Sequence, residues 1–235
     1  MTDNMLKEIK FDIEYINSIM KNIDPNLKKY IEENIFPEYE LNDKGHNLNH
    51  IKFVLNRAFE ISKKYNIDNN ILYTCVCFHD IACHIDRENH EKLSSERAYK
   101  DIFLNNFFSN EDMIIIKEAI EDHRASSNNI PRNIYGKILS SADRKVEIKN
   151  YLISSIFFGI ADIDNMDKDE AINQSYEHAI KKFGKNGYAT NKFYVEDDIY
   201  QKFLDDLQYL IDNKDEFIRL ANIVFNEVKN GGKNE

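Results

Sequence analysis

Apolar residues recur at three- and four-residue steps along most of this chain, and the stripes they form predict a succession of helices. In "MLKEIKFDIEYINSIM" the positions Met5, Ile9, Ile13, Ile16 and Met20 share one face. Pro25 and Pro37 bracket a short helix in "NLKKYIEENIF". "NLNHIKFVLNRAFEISKKY" is amphipathic, with Ile51, Val54, Leu55, Ala58 and Ile61 on its apolar side. "NNILYTCVCFHDIA" is apolar all round, which predicts a helix buried at the centre of a bundle. "KLSSERAYKDIFLNNFF" is a further helix, and "SNEDMIIIKEAIEDH" opens with Ser109 three residues before Asp112, a pairing that caps a helix. After Pro131, "RNIYGKILSSADRKVEIKNYLISSIFFGI" reads as a long, partly broken helix. Beyond Asp162 the pattern becomes more polar: "DKDEAINQSYEHAIKKFG" stops at Gly184, a loop "KNGYATNKFYVEDD" follows, and one or two helices lead to a frayed "KNGGKNE".

Composition narrows this to an all-α fold. Only 7 Gly and 3 Pro in 235 residues argue against an all-β fold or a Gly-rich nucleotide fold. Three cysteines make no even set, and "CVC" is an intracellular pattern rather than a disulfide framework. The opening "MTDNMLKEIKFDIEY" is too acidic for a signal peptide, and no apolar run approaches the roughly 18 residues of a membrane span, so a cytoplasmic location without a membrane partner is expected. A net charge of -10 argues against generic nucleic-acid binding but leaves room for a small phosphorylated substrate in a locally basic cleft. Oligomeric state is not legible.

The chemistry begins at "CFHDIACH", where Asp80 ends an apolar run. A carboxylate entering a buried segment needs a partner, because an unpaired buried charge is very costly. His50, His79, Asp80 and Asp143 each fall on a predicted helix. Imidazole nitrogens with carboxylate oxygens suit a borderline divalent ion such as Mn²⁺, Fe²⁺, Co²⁺, Ni²⁺ or Zn²⁺. Neighbours on a helix point about 100° apart, so His79 and Asp80 share an ion only if flanking helices bring His50 and Asp143 to it. Each residue also has an ordinary reading. His50 alone fits a hydrogen-bonded core histidine, and His46, one turn before it, fits a helix start or a partner behind the ligands. Cys75 and Cys83 share the His79 face, yet with no second CxxC pair the cysteines read as buried small hydrophobes. Arg124 and Arg144 also fit salt bridges to Glu121 and Glu147, while Arg87 with His90 fits a helix cap.

"HNLNHIKFV", "CFHDIACH" and "SSADRKVEI" resemble the H…HD…D signature of the HD-domain metal-dependent phosphohydrolases, a likeness spanning roughly His46 to Lys149. "DRENH", "EDHRASSNNIPRNIYGKILSSADR" and "HAIKKFGKNGY" extend it to a bacterial branch of that superfamily. The resemblance implies an HD-domain helical bundle, and the composition shift near Asp162 sets its core at residues 1–161, N-terminal helices included, with a C-terminal helical extension over 162–235 expected to pack on that core as one compact unit. It implies His50, His79, Asp80 and Asp143 as ligands of a divalent metal (Mn, Fe, Co, Ni, Zn or Mg), one ion with room for a second. The chain departs from the HDxxE pattern of some nucleotide hydrolases, having Cys83 and His84 at that place.

An ion so bound would activate water for attack on phosphorus, cleaving a phosphoester or pyrophosphate bond in a small phosphorylated metabolite such as a nucleotide. Asp80 and His123 are the expected catalytic residues, His123 also serving as a contact to substrate or to a second metal. His84, Arg87, His90, Arg124, Lys137 and Arg144 are expected at the substrate, and with Arg132 and Lys145 the segment 124–145 reverses the charge balance of the whole chain. Lys181 or Lys185 offers a further phosphate contact. The alternatives are a non-catalytic nucleotide-binding or regulatory module, a purely structural helical protein and, remotely, a metal oxygenase.

Overall fold

The computed structural model describes residues 2–43, 45–124, 129–158, 166–185, 187, 189–190 and 193–231. The Ala125–Asn128 turn and the composition boundary near Asp162 lie outside them. Among the described residues the chain is helical throughout, without strands. It divides into two compact units: residues 11–144 with 193–196, and residues 1–10 with 145–192 and 197–235. The change of unit comes at Arg144/Lys145, and the first ten residues group with the C-terminal segments.

In the first unit, α1 (Ile13–Asn22) begins only at Asp12, whose carboxylate accepts the Tyr15 N–H. The single stripe expected from Met5 to Met20 is therefore broken: Met5 lies in a separate 3₁₀ turn, Thr2–Leu6. A capping side chain satisfies amide protons that a longer helix would bond internally, and here that local hydrogen bond overrides the periodicity. Asp24 caps α2 (Pro25–Tyr30), which runs through a π-helical turn, Ile31–Ile35, into a 3₁₀ segment, Phe36–Leu41.

Then come α3 (Leu48–Ser62), α4 (Asn69–Phe78), α5 (His90–Tyr99), α6 (Ile102–Phe107), α7 (Asn110–Glu121) and α8 (Ile134–Ala142). Every residue of α4 from Ile71 to Phe78 is buried, as its apolar run predicts, and α3, α5, α7 and α8 pack around it. Burial of a side chain such as Leu72, Val76 or Phe78 contributes roughly 1.5–3 kcal/mol. Ser109 and Asp112 form the expected reciprocal cap of α7. The expected helix over 92–108 is two, because Asp101 caps α6 and breaks it from α5. Gly136 permits close contact between α7 and α8, since a Cβ there would stand 3.2 Å from the Ala119 Cα. The second unit contains α9 (Ile148–Ile156), α10 (Lys168–Phe183), α11 (Asp198–Asp212) and α12 (Lys214–Gly231).

No helix among the described residues is long and apolar enough to cross a membrane. The three cysteines are free and buried.

Candidate metal centre

The expectation that all four candidate ligands lie within helices holds only for His50. It is the third residue of α3, whose start is set by the Asn47 side chain accepting the Asn49 and His50 N–H groups. His79 is the C-cap of α4, Asp80 follows in a turn, and Asp143 is the C-cap of α8. Helix ends release the side chains from fixed 100° steps, which lets His79 and Asp80 turn toward one point. A helix C-terminus also carries about half a negative charge, so the ends of α4 and α8 favour a cation there.

One ligand atom from each of His50, His79, Asp80 and Asp143 lies within 4.8 Å of the others. His50 Nε2 is 3.1 Å from Asp143 Oδ1 and 3.4 Å from Asp80 Oδ2; His79 Nε2 is 3.3 Å from Asp80 Oδ2 and 3.8 Å from Asp143 Oδ1. Neither imidazole nitrogen makes a hydrogen bond, although both atoms are buried. The four groups thus surround a shared point rather than pairing with one another, which fits a divalent ion.

The field of the site says the same. Burial alone would lower the His50 pKa, but the Asp143 and Asp80 carboxylates raise it to about 9. His79 is likewise held well above its ordinary value against the pull of burial. Burial would raise both aspartates, yet the histidines hold Asp80 and Asp143 below the usual carboxylate range. The pocket draws positive charge, and in the absence of a metal it draws protons.

The other Asp80 oxygen faces a second set. His90 Nε2 is 3.3 Å and His123 Nε2 is 3.5 Å from Asp80 Oδ1. His90 opens α5, and His123 follows the C-cap of α7. In His79, His90 and His123 the Nδ1 atom lies 2.8, 2.9 and 2.6 Å from the carbonyl three residues earlier, on Val76, Arg87 and Ile120. Nδ1–H donates to each of these carbonyls, so in the neutral ring Nε2 carries a lone pair. The geometry thus groups His90, expected at the substrate, with His123 around Asp80, in the second-metal position the sequence also offered for His123. Cys83, His46 and Asp80 form a third close trio, but burial and the charge of Asp80 raise the Cys83 thiol, which disfavours a thiolate ligand.

The remaining candidates are dispersed. His84 is exposed, its ring Nδ1 3.1 Å from Asn42 Oδ1. Arg87 is exposed and pairs with Asp43 at 2.7 Å. Arg124 donates to the Glu88 carbonyl and stands 3.6 Å from Glu91, beside His90. The Arg144 guanidinium lies over the Tyr194 ring at 5.6 Å. Half-exposed Lys137 sits six residues, about 9 Å of helix rise, before Asp143. Exposed Arg132 is committed to Glu118, Glu121 and Asp122, which makes it a tie between α7 and the start of α8. Exposed Lys145 belongs to the other unit.

Three contributors escaped the sequence reading. Asn42 donates from Nδ2 to the carbonyls of Asp80 and His46 at 2.9 and 3.0 Å, while its Oδ1 accepts the His84 N–H at 2.9 Å. Tyr39 donates to the Cys77 carbonyl at 2.9 Å, so the two residues secure the turn that presents His79 and Asp80. Glu91 places a buried carboxylate oxygen 3.5 Å from His90 Nδ1. No periodicity marks these residues; an Asn in a loop and a Glu in a helix's first turn both read as ordinary surface positions.

No curated protein and no solved structure is significantly similar to this chain. A family model does match: HD domain, over residues 47–146. That span contains His50, the His79–Asp80 pair and Asp143 in family order, together with His90 and His123. Residues 47–146, the segment that carries all of these candidate ligands, are thus the part of the chain that matches the HD domain.

Proposed function

We propose that this protein is a metal-dependent phosphohydrolase that cleaves a phosphoester or pyrophosphate bond in a small phosphorylated metabolite, with nucleotides in that class. The observation that carries the reading is Asp80: one buried carboxylate turns Oδ2 to His50 and His79 and Oδ1 to His90 and His123. His50, His79, Asp80 and Asp143 would hold one ion; Asp80, His90 and His123 would hold a second. A divalent ion bound there supplies Lewis acidity toward a phosphoryl oxygen and toward the attacking water.

The chain's own groups do the rest. Asp80 fixes the two ligand sets relative to each other, and the Nδ1–H bonds of His79, His90 and His123 hold each ring in one tautomer. The His79 side chain is fully buried and that of Asp143 is 21% exposed, so the cluster opens to solvent on the Asp143 side. Arg124 and Arg144 are the cations best disposed for a phosphoryl group, since a guanidinium forks onto two phosphate oxygens. These two arginines, rather than the basic run as a whole, are what favours phosphate in a chain this acidic.

Cys83 stands where some relatives by resemblance carry the HDxxE acid, which favours a second reading: a module that binds a nucleotide without turning it over. One experiment separates the two. The metal content of the purified protein is identified, and phosphate release is then screened over a panel of phosphorylated metabolites with that ion. Release that disappears in His79→Ala supports the hydrolase. Saturable nucleotide binding without release supports the second reading, and full metal content and activity in His79→Ala contradicts both.

A further inference from the structure

The second unit gathers positive charge in a place the metal centre does not use. His178, Lys181 and Lys182 occupy positions i, i+3 and i+4 of α10, which puts them on one face. Buried Tyr151 of α9 meets that face: its hydroxyl oxygen is 3.1 Å from His178 Nδ1, and the two rings stack at 13° with centroids 6.1 Å apart. Lys182 is half-buried, its ammonium 5.2 Å from the Phe183 ring. The turn after the helix folds back on it, the Ala189 N–H donating to the Lys182 carbonyl at 3.0 Å. A Cβ on Gly187 would come within 2.4 Å of that carbonyl oxygen, so glycine is needed for this approach.

Positive charge that is partly buried needs a counter-charge, and this chain is acidic overall. The negative end of α10 accommodates Lys181 and Lys182. It does not account for the half-buried setting of Lys182, where the charge of Lys145 disfavours the charged forms of both His178 and Lys182. Among the described residues no carboxylate forms an ion pair with His178, Lys181 or Lys182. Burial first, and neighbouring lysines second, hold His178 and Lys182 below their ordinary pKa values.

We propose that His178 and Lys182, with Tyr151 and Lys145, form a binding site for a phosphate-class oxyanion. The Tyr151 hydroxyl is nearer to His178 Nδ1 (3.1 Å) than to the Ser175 carbonyl (3.5 Å). The Tyr151 contact occupies Nδ1 and leaves Nε2 as the His178 nitrogen available to the anion. The Lys182 ammonium supplies a point charge and further donors, and Lys145 adds long-range attraction. The sequence singles out this same stretch, but Lys181 and Lys185 are exposed, so the half-buried Lys182 takes the role.

The test is a titration of the full-length protein with inorganic phosphate at pH 7, against chloride at matched ionic strength. The His178 ring proton is followed by NMR, with His178→Gln for assignment. A saturable shift in the low millimolar range, at least tenfold weaker in Lys182→Gln and kept in Lys182→Arg, supports the site. An unshifted His178 signal, or a shift that chloride reproduces or that Lys182→Gln leaves intact, overturns it and leaves a solvated basic face. The two sources of such an anion separate by kinetics, in the one arm that rests on the hydrolase reading. A raised KM in Lys182→Gln marks the substrate's phosphate, whereas an unchanged KM with phosphate binding lost marks a separate phosphorylated effector.

Discussion

His90 and His123 bring their Nε2 atoms to 3.3 Å of each other, both beside the same Asp80 oxygen, with both Nδ1 atoms engaged by backbone carbonyls. Two neutral rings so tied present lone pair to lone pair, which is repulsive unless a proton or a cation stands between them. The arrangement predicts two metal ions per chain. Elemental analysis of His123→Ala should find about one equivalent fewer than the wild type, and Asp80→Ala should lose both. Unchanged stoichiometry in His123→Ala would remove the second ion from the picture.

Loading the metal should release protons. Without a cation, the neighbouring carboxylates raise His50 to about 9, so at pH 7 its ring is protonated, and an arriving ion displaces that proton. Release from His50 should therefore be nearly complete at pH 7 and fade as the pH rises through about 9. Titrating Zn²⁺ into chelator-treated protein in weakly buffered solution measures it directly, with His50→Gln as the reference that releases less. Equal release from variant and wild type would rule out this origin.

Asn42 should matter to the metal without touching it. Replacing it by Ala strips a donor from the Asp80 and His46 carbonyls and an acceptor from His84. Partners that orient ligands typically contribute 10–100-fold in metal affinity, so a loss of about that size is expected. Thermal unfolding should show a cost of about 1–3 kcal/mol for the orphaned carbonyls. Metal affinity equal to wild type would mean that the turn holds its shape unaided.

Asp101 is a test of the fold alone. It caps α6 through Leu104 N–H and accepts from Tyr30 Oη at 2.6 Å and Arg97 Nη1 at 2.8 Å, while almost fully buried. Asp101→Ala should cost roughly 1–3 kcal/mol in urea unfolding, since it removes a cap and takes an acceptor from the half-buried Tyr30 hydroxyl and Arg97 guanidinium. Metal content should be unchanged. A cost under about 1 kcal/mol would show that the three bonds are weak.

Much of this protein was legible along the chain because the information is local. A cap reaches three residues and an apolar stripe repeats every three or four, so the Ser109–Asp112 cap, the α3 stripe and the buried α4 could be read directly. Local competition between two such signals accounts for the break at Asp12. The order His50, His79–Asp80, Asp143 was likewise legible as a motif within the matched HD domain.

What tertiary structure decided is which groups meet. Arg132 and Arg144 read alike in sequence, yet one is tied down by three carboxylates of α7 and its C-cap, while the other lies on Tyr194 near the ligands. Asn42 lies 38 residues from Asp80 along the chain and 2.9 Å from its carbonyl. The role of each Asp80 oxygen depends on where the ends of α3, α4, α7 and α8 and the start of α5 come together. Sequence alone determines which residue types and local turns are available. Only packing of the helices sets the few ångströms that turn one acid toward two pairs of histidines instead of a single ion-pair partner, because electrostatic interactions depend on distance and direction in space rather than on separation along the chain.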